Sequence, residues 1–319
     1  MKVAFVGKGG SGKTTLASLT ARALGADRRP VLAIDADINQ HLGEALGLTE
    51  KQRNSIPAMG IEIDRIKQYL RGTNKRIKDP SQMIKTTPPG NGSRLLTVSE
   101  RNELFGQFAI DINGVRFMRV GEIEEADMGV KCYHAKNGSV ELLLNHIAER
   151  EDEYVIVDMT AGADAFSSGL FTRFDVTFLV VEPTIKSCQV YEQYKTYADP
   201  YGVVVRPVAN KISDQGDLAF IQDRIGEEVS AAFEYSAFVC SMEKGETPDI
   251  SELEEANTQA LGALADAIDS GVKDWDTFYK YAIEFHKKNA ESWANESVGE
   301  DLRSQIDPEF SLYDAVRSM

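Results

Sequence analysis

The sequence is short of the features that mark secreted, membrane-spanning or nucleic-acid-coating proteins. Cysteine is scarce. Its three cysteines, Cys132, Cys188 and Cys240, are far apart and odd in number, so no disulfide framework is implied. No apolar run reaches the roughly 20 residues that a bilayer span needs. The first residues read as a strand, so no signal peptide is expected and a cytoplasmic location follows. Positive charge is also in short supply: 35 Lys and Arg stand against 50 Asp and Glu, a formal net charge of −15. Nonspecific nucleic-acid binding relies on basic surface to displace counterions, and anionic membranes attract basic segments, so neither partner is expected. Internal repeats and low-complexity tracts are absent too. What remains is a chain of 319 residues, 42% hydrophobic, long enough for one large α/β domain and a small appendage.

The most informative stretch is Gly7-Lys8-Gly9-Gly10-Ser11-Gly12-Lys13-Thr14-Thr15, between the apolar run Val3–Val6 and a helix-like segment, Leu16–Leu24. In that context G-x-x-x-x-G-K-[ST] reads as a phosphate-binding loop. Its glycines let successive N–H groups turn toward phosphate oxygens, and the helix that follows adds its positive end. Gly9, Gly10, Ser11, Gly12, Lys13, Thr14 and Thr15 are the expected nucleotide contacts. Lys13 is placed to reach the β- and γ-phosphates, and Thr14 to ligate Mg²⁺.

A second buried strand, Pro30–Ile34, ends in Asp35-Ala36-Asp37, at the strand edge where open α/β sheets bind ligands. Acidic residues there can hold Mg²⁺ through its waters or orient an attacking water. Tyr154–Asp158 is an apolar run ending in aspartate, a Walker B pattern, with Asp158 placed for Mg²⁺. Further strands are expected at Arg94–Val98, Val115–Val120, Val176–Val181 and Val203–Ala209, with a last one inside Val229–Val239. Helices are expected at Ile61–Leu70, Ser139–Arg150 and Ser187–Tyr197. The run Thr86–Gly92 reads as an exposed turn and the basic patch Arg71, Lys75, Arg76 and Lys78 as a solvated face. Two apolar stripes, Leu253–Ile268 and Trp275–Phe285, read as helices packed on a core or interface. The expected division is an ATPase domain over 1–270 and a C-terminal helical extension over 271–319.

With Lys8 in place, the loop resembles the deviant Walker A motif of the MinD-like P-loop ATPases. That resemblance implies a mostly parallel sheet flanked by helices, ATP hydrolysis, and a homodimer in which Lys8 reaches the partner's nucleotide. It makes Lys8, Lys13 and Asp37 the catalytic expectations. D-A-D-I-N-Q matches the switch I of these ATPases at Asp35, Asp37 and Asn39. Asp158-Met159-Thr160-Ala161-Gly162 resembles their switch II, with the Gly162 N–H sensing the γ-phosphate, and Asn210-Lys211 resembles their adenine-reading pair. Thr14, Asp35, Asp37 and Asp158 are the expected Mg²⁺ set.

Gly121–His134, followed by a leucine-rich helix, is most similar to the accessory ATPases that insert nickel into carbon monoxide dehydrogenase, the CooC type. There the family has C-x-C; here Cys132-Tyr133-His134 stands in its place. A thiolate and an imidazole two residues apart suit Ni²⁺ or Zn²⁺, and a symmetric dimer would join four such donors at its interface. A cluster shared as in the nitrogenase iron protein is not expected, because Ala165 and its neighbours supply no second cysteine. The resemblance therefore implies a metallochaperone with a client metalloenzyme. The alternatives are a partition or division ATPase, a small-molecule kinase or amidoligase, and a partner-regulating ATPase without a metal.

Overall fold

The computed structural model describes residues 1–122, 133–160, 166 and 168–319, with the side chains of 133–135 also outside the description. Its frame is an eight-stranded sheet: β1 (Lys2–Gly7), β2 (Val31–Ala36), β3 (Ile110–Ile112), β4 (Val115–Arg119), β5 (Tyr154–Met159), β6 (Val176–Val181), β7 (Val205–Ile212) and β8 (Ala231–Glu234). The order is β3-β4-β2-β5-β1-β6-β7-β8, with β3 antiparallel to β4 and every other pair parallel. The central strands are apolar almost throughout because both of their faces are covered. Alternation assigns the faces: Ala4, Val6, Leu32 and Ile34 join one core with Ile66, Leu70, Leu143 and Tyr191. Val3, Phe5, Ala33 and Ile156 join the other with Leu16, Leu19, Leu264 and Ile268. The result is a mostly parallel α/β sheet flanked by helices, the architecture that the phosphate-loop resemblance implies.

Two local readings change. Arg94–Val98 is no sheet strand: Leu96 makes one bridge, to Ile147, and the Val98 and Ser99 amides donate to the Glu153 carboxylate. Its apolar residues face the core, but its hydrogen bonds go to the Leu70 carbonyl, to His146 at the end of the helix Tyr133–His146, and to the chain just after it. The antiparallel edge strand β3 lies elsewhere, joined to β4 through Asn113 (φ 49°) and Gly114 (φ 81°). That is the Asn-Gly hairpin turn, whose positive φ values match strand twist.

The loop Thr86–Gly90, expected to be exposed, is buried beneath the C-terminal tail. Tyr279 donates to the Pro89 carbonyl, and Asp307 accepts from the backbone and side chain of Asn91. His286 lies between the Thr86 hydroxyl and the Leu302 carbonyl. Part of the basic patch also meets this tail rather than water alone, since Arg76 pairs with Asp307 at 3.3 Å and Lys78 with Glu300 at 3.1 Å. The Lys78 pair is exposed and contributes little by itself, whereas Asp307 of the other pair is buried.

The anchor of the tail is a buried charge cluster at the start of β1. Lys2 donates to the Glu149 carboxylate and to the Ile147 carbonyl, and Lys273 donates to Glu149 and Asp175. Both ammonium groups lie over the Trp275 ring, at 4.6 and 4.1 Å. Burial opposes the Glu149 charge, but Lys2 and Lys273 outweigh it and hold the carboxyl at about 2.

Glu149→Gln is expected to destabilise the fold by about 3–5 kcal/mol, because the buried Lys2 loses its counter-ion and Lys273 is left with Asp175. A urea titration reads this, and a loss under about 1 kcal/mol would show that the cluster does not hold the tail. The pH dependence follows from the depressed carboxyl. Its contribution is complete above the unfolded value of 4.5 and is lost as pH falls from there through about 2.

Candidate functional site

The phosphate loop leaves the carboxyl end of β1 and enters the helix Lys13–Ala26, whose N-cap is Gly12. A glycine cap has no side chain to occupy the first-turn amides, so they face outward as anion donors. Gly12 has φ 94°, and a Cβ there would lie 2.2 Å from Asn210 Nδ2. Only glycine fits. An open pocket of about 520 Å³ adjoins this turn, with Gly10, Lys13, Thr14, Thr15 and Asn39 on one wall and Met242 on another.

Parallel pairing sets the carboxylates. Asp35 on β2 and Asp158 on β5 are direct register partners, both fully buried. Burial, and then the charge of Asp158, pushes Asp35 well above the usual carboxylate range. Burial also raises Asp158, to about 7, against the opposing pull of Lys13 and the Thr14 hydroxyl. Asp35 spends its oxygens on switch I: Oδ2 accepts from the Leu42 amide at 2.8 Å, and Oδ1 from the Asp37 amide at 3.3 Å. Asp37 Oδ1 accepts from the backbone and side chain of Asn39, while Oδ2 pairs with Lys13 Nζ at 2.7 Å. Thr14 Oγ1 donates to Asp158 Oδ2 at 2.6 Å. Asp158 Oδ1 is buried with no hydrogen-bond partner among the described residues. That orphaned oxygen beside a threonine hydroxyl fits a Mg²⁺ ion, which takes one or two carboxylates and completes its shell with water and phosphate. No larger group of His, Cys, Asp or Glu side chains suited to a metal ion occurs among the described residues.

The last strands close the site from the other side. Asn210 and Lys211 lie inside β7, at a bulge, where Lys211 takes φ 60°. Asn210 Nδ2 donates to the Ser11 carbonyl at 2.8 Å, and Lys211 Nζ to the Gly10 carbonyl at 2.6 Å. Lys211 also pairs with Glu182 at 2.8 Å, and Lys8 pairs with the other Glu182 oxygen at 3.6 Å. The structure thus brings Lys8, Lys13, Thr14, Asp35, Asp37, Asp158, Asn210 and Lys211 to one sheet edge. Cys132 and Gly162 lie outside the described residues, as does the His134 side chain, whose backbone opens the helix Tyr133–His146.

Two residues of the site are absent from the motif reading. Glu182 follows β6 in Glu-Pro-Thr, an ordinary turn in sequence, yet it gathers Lys8 of the loop and Lys211 of β7. Gln40 closes D-A-D-I-N-Q, and its amide is inserted beneath switch I, donating to the Asp37 carbonyl at 2.6 Å. Position in the switch I segment was the available signal for Gln40; for Glu182 there was only its place at a strand's carboxyl end.

Comparison with known proteins agrees with this geometry. Residues 3–292 match the model of the CobQ/CobB/MinD/ParA nucleotide binding domain. The chain is 29% identical to the carbon monoxide dehydrogenase accessory protein CooC of Rhodospirillum rubrum, over 70% of this chain and 79% of that protein. It is 27% identical to an ATP-binding protein of Methanocaldococcus jannaschii, over 72% and 81% of the two. Among solved structures, the septum site-determining protein MinD of Pyrococcus horikoshii, complexed with Mg-ADP, superposes with a TM-score of 0.54 at 17% identity. That match covers 85% of this chain and 97% of the other. At such identity it speaks for the fold alone.

Gly12→Ala is expected to weaken ATP binding more than about 100-fold, since a left-handed non-glycine residue costs about 1–2 kcal/mol before the clash with Asn210 is added. Adding Asn210→Ala removes the clash but not the backbone strain, so only part of the affinity should return. Titration with a fluorescent ATP analogue measures both. Normal affinity in the single variant would show that the loop does not need this turn.

Proposed function

The chain belongs to the CobQ/CobB/MinD/ParA family of nucleotide-binding domains and is an ATPase, and we propose that its hydrolytic cycle drives a homodimeric switch that matures a metalloenzyme. The cargo in this reading is nickel, delivered in the cytoplasm to a client protein. The observation that carries it is the similarity to a carbon monoxide dehydrogenase accessory protein, together with Cys132 and His134 in the segment that resembles the nickel-insertion ATPases. Zn²⁺ is the competing ion for such a donor pair. No helix among the described residues is long and apolar enough to cross a membrane.

In the proposed cycle, the first-turn amides and Lys13 bind the β- and γ-phosphates. Thr14 and Asp158 would hold Mg²⁺, with Asp35 keeping switch I in place behind them; the ion supplies charge neutralisation on the phosphates. The phosphate then competes with Asp37 for Lys13. Once released, Asp37 can orient the attacking water, which phosphoryl transfer needs more than it needs covalent help. Gly162 would sense the γ-phosphate, and Asn210 with Lys211 would border the base. Lys8 supports the dimer: its side chain is 37% exposed, pairs with Glu182 at 3.6 Å, and could exchange that pair for a second copy. Hydrolysis would release both switches and reopen the dimer.

Lys8→Ala should bind ATP with near-normal affinity yet hydrolyse it at least tenfold more slowly, for want of the partner's lysine. Light scattering with a nonhydrolysable analogue checks the dimer, and undiminished ATP-dependent dimerisation would sink the role of Lys8. Equilibrium dialysis with Ni²⁺ and with Zn²⁺, with and without ATP, checks the cargo. The wild type should retain metal that the Cys132→Ala, His134→Ala double variant does not. Equal retention by both would leave a partner-regulating ATPase as the better reading.

A further inference from the structure

Gln40 occupies an uncommon position for its residue type. It is 5% exposed and has φ 52°, a left-handed conformation that glutamine seldom adopts. Its side-chain nitrogen donates to the Asp37 carbonyl at 2.6 Å and lies 3.3 Å from the Asp35 carbonyl. At the other end of the same amide, Oε1 accepts the Gly121 N–H at 3.1 Å, across 81 residues of chain. One planar group thus joins switch I to the first residue of the Gly121–His134 stretch.

The receiving end is equally constrained. Gly121 has φ 105°, and a Cβ there would sit 2.5 Å from the Ala58 Cβ. The residues before it are pinned, because the Met59 and Gly60 amides donate to the Arg119 and Val120 carbonyls at 3.0 and 2.9 Å. The residue after it is held from the helix Tyr133–His146, where Lys136 Nζ donates to the Glu122 carbonyl. Gln40 is thus one of several ties on this turn, beside Met59, Gly60, Lys136 and the Asp35 carbonyl that accepts from Val120, and it is the one whose side chain also bonds Asp37.

We propose that Gln40 is a positioning residue that carries the nucleotide state from Asp37 to the Gly121–Glu122 turn. Asp37 is paired with Lys13 at 2.7 Å, on the side of the loop where the phosphates would bind. A bound triphosphate takes Lys13, so the Asp37 carboxylate must find another place, and its carbonyl moves with the backbone. The buried Gln40 amide follows, because leaving the Asp37 carbonyl or the Gly121 N–H unpaired in the interior is costly. The turn then shifts with switch I. Coupling of this kind is reciprocal: whatever binds beyond Gly121 changes ATP affinity by the same factor. The inference uses the ATP site alone and stands whether or not the Cys132 stretch takes a metal.

Hydrogen exchange of the full-length protein, with and without Mg²⁺ and a nonhydrolysable ATP analogue, tests it. In the wild type the analogue should slow exchange at 7–15 and also change it at 115–122 and 133–146, on the order of 5- to 150-fold at the turn. Gln40→Gly suits the positive φ and deletes the side-chain hydrogen bonds to Asp37 and Gly121. Gln40→Glu keeps an oxygen for the Gly121 amide but loses the donor to Asp37. Each variant should retain the response at 7–15 and lose it at 115–122 and 133–146. A wild-type-sized response at the turn in Gln40→Glu would overturn the proposal. So would a wild type whose loop responds while its turn does not. If the glycine variant proves unstable in a thermal scan, the glutamate variant decides. Metal dialysis plays no part in this readout, so failure of the nickel reading cannot be mistaken for failure here.

Discussion

Two carboxylates placed side by side on neighbouring parallel strands, far from water, are the constraint to which the rest of the site answers. Asp35 and Asp158 are register partners, and burial together with mutual repulsion disfavours charging both. The chain relieves this in different ways. Asp35 is surrounded by amide donors from its own loop, which folds switch I over the strand end. Asp158 receives one hydroxyl hydrogen bond from Thr14, and its other oxygen has no hydrogen-bond partner among the described residues. An unpaired buried acceptor is unfavourable in isolation and useful where a hydrated cation is to be bound. The same corner needs a positive charge nearby, and Lys13 supplies it through Asp37. Nucleotide binding then amounts to exchanging one set of compensating charges for another.

Much of this was legible because its signals are local. The phosphate loop, the strand-end aspartates and the Walker B run each sit within a few residues, and parallel topology alone brings them to one edge. The Asn-Gly turn before β4 was equally local, yet β3 went unread because its three residues are too short to show alternation. Arg94–Val98 misled in the opposite sense: its apolar residues are core residues, but hydrophobic pattern says nothing about which backbone partner a segment finds. Thr86–Gly90 has the composition of a turn and is buried only because residues some 200 positions later cover it. Glu182 and Gln40 show the same limit at the site. Their types were visible, but what they bond, Lys8 and Lys211 in one case and Gly121 in the other, depends on the assembled sheet.

The C-terminal residues are bound into the fold by two kinds of contact. On the outer side, Glu300 meets Lys78 of the basic patch, and Asp307 meets Arg76 in a half-covered pair. At depth, Lys273 and the Trp275 ring close over Lys2 and Glu149 at the foot of β1. The outer pairs are screened at ordinary ionic strength, whereas the inner cluster is sheltered from salt. The acidic balance of the chain is thus partly used internally, and the tail sits against the domain's first strand.

That first strand is six residues long and serves at both ends. Its carboxyl end delivers the phosphate loop, and its amino end holds Lys2 in the charge cluster with Lys273. A fragment cut after the last motif residue, Lys211, would keep the motif residues of the proposed site and still leave Lys2 open to solvent at the far end of the same strand. The minimal nucleotide-binding unit of this chain is therefore larger than its motifs, because the rod that carries the loop is clamped from a part of the sequence that never meets the ligand.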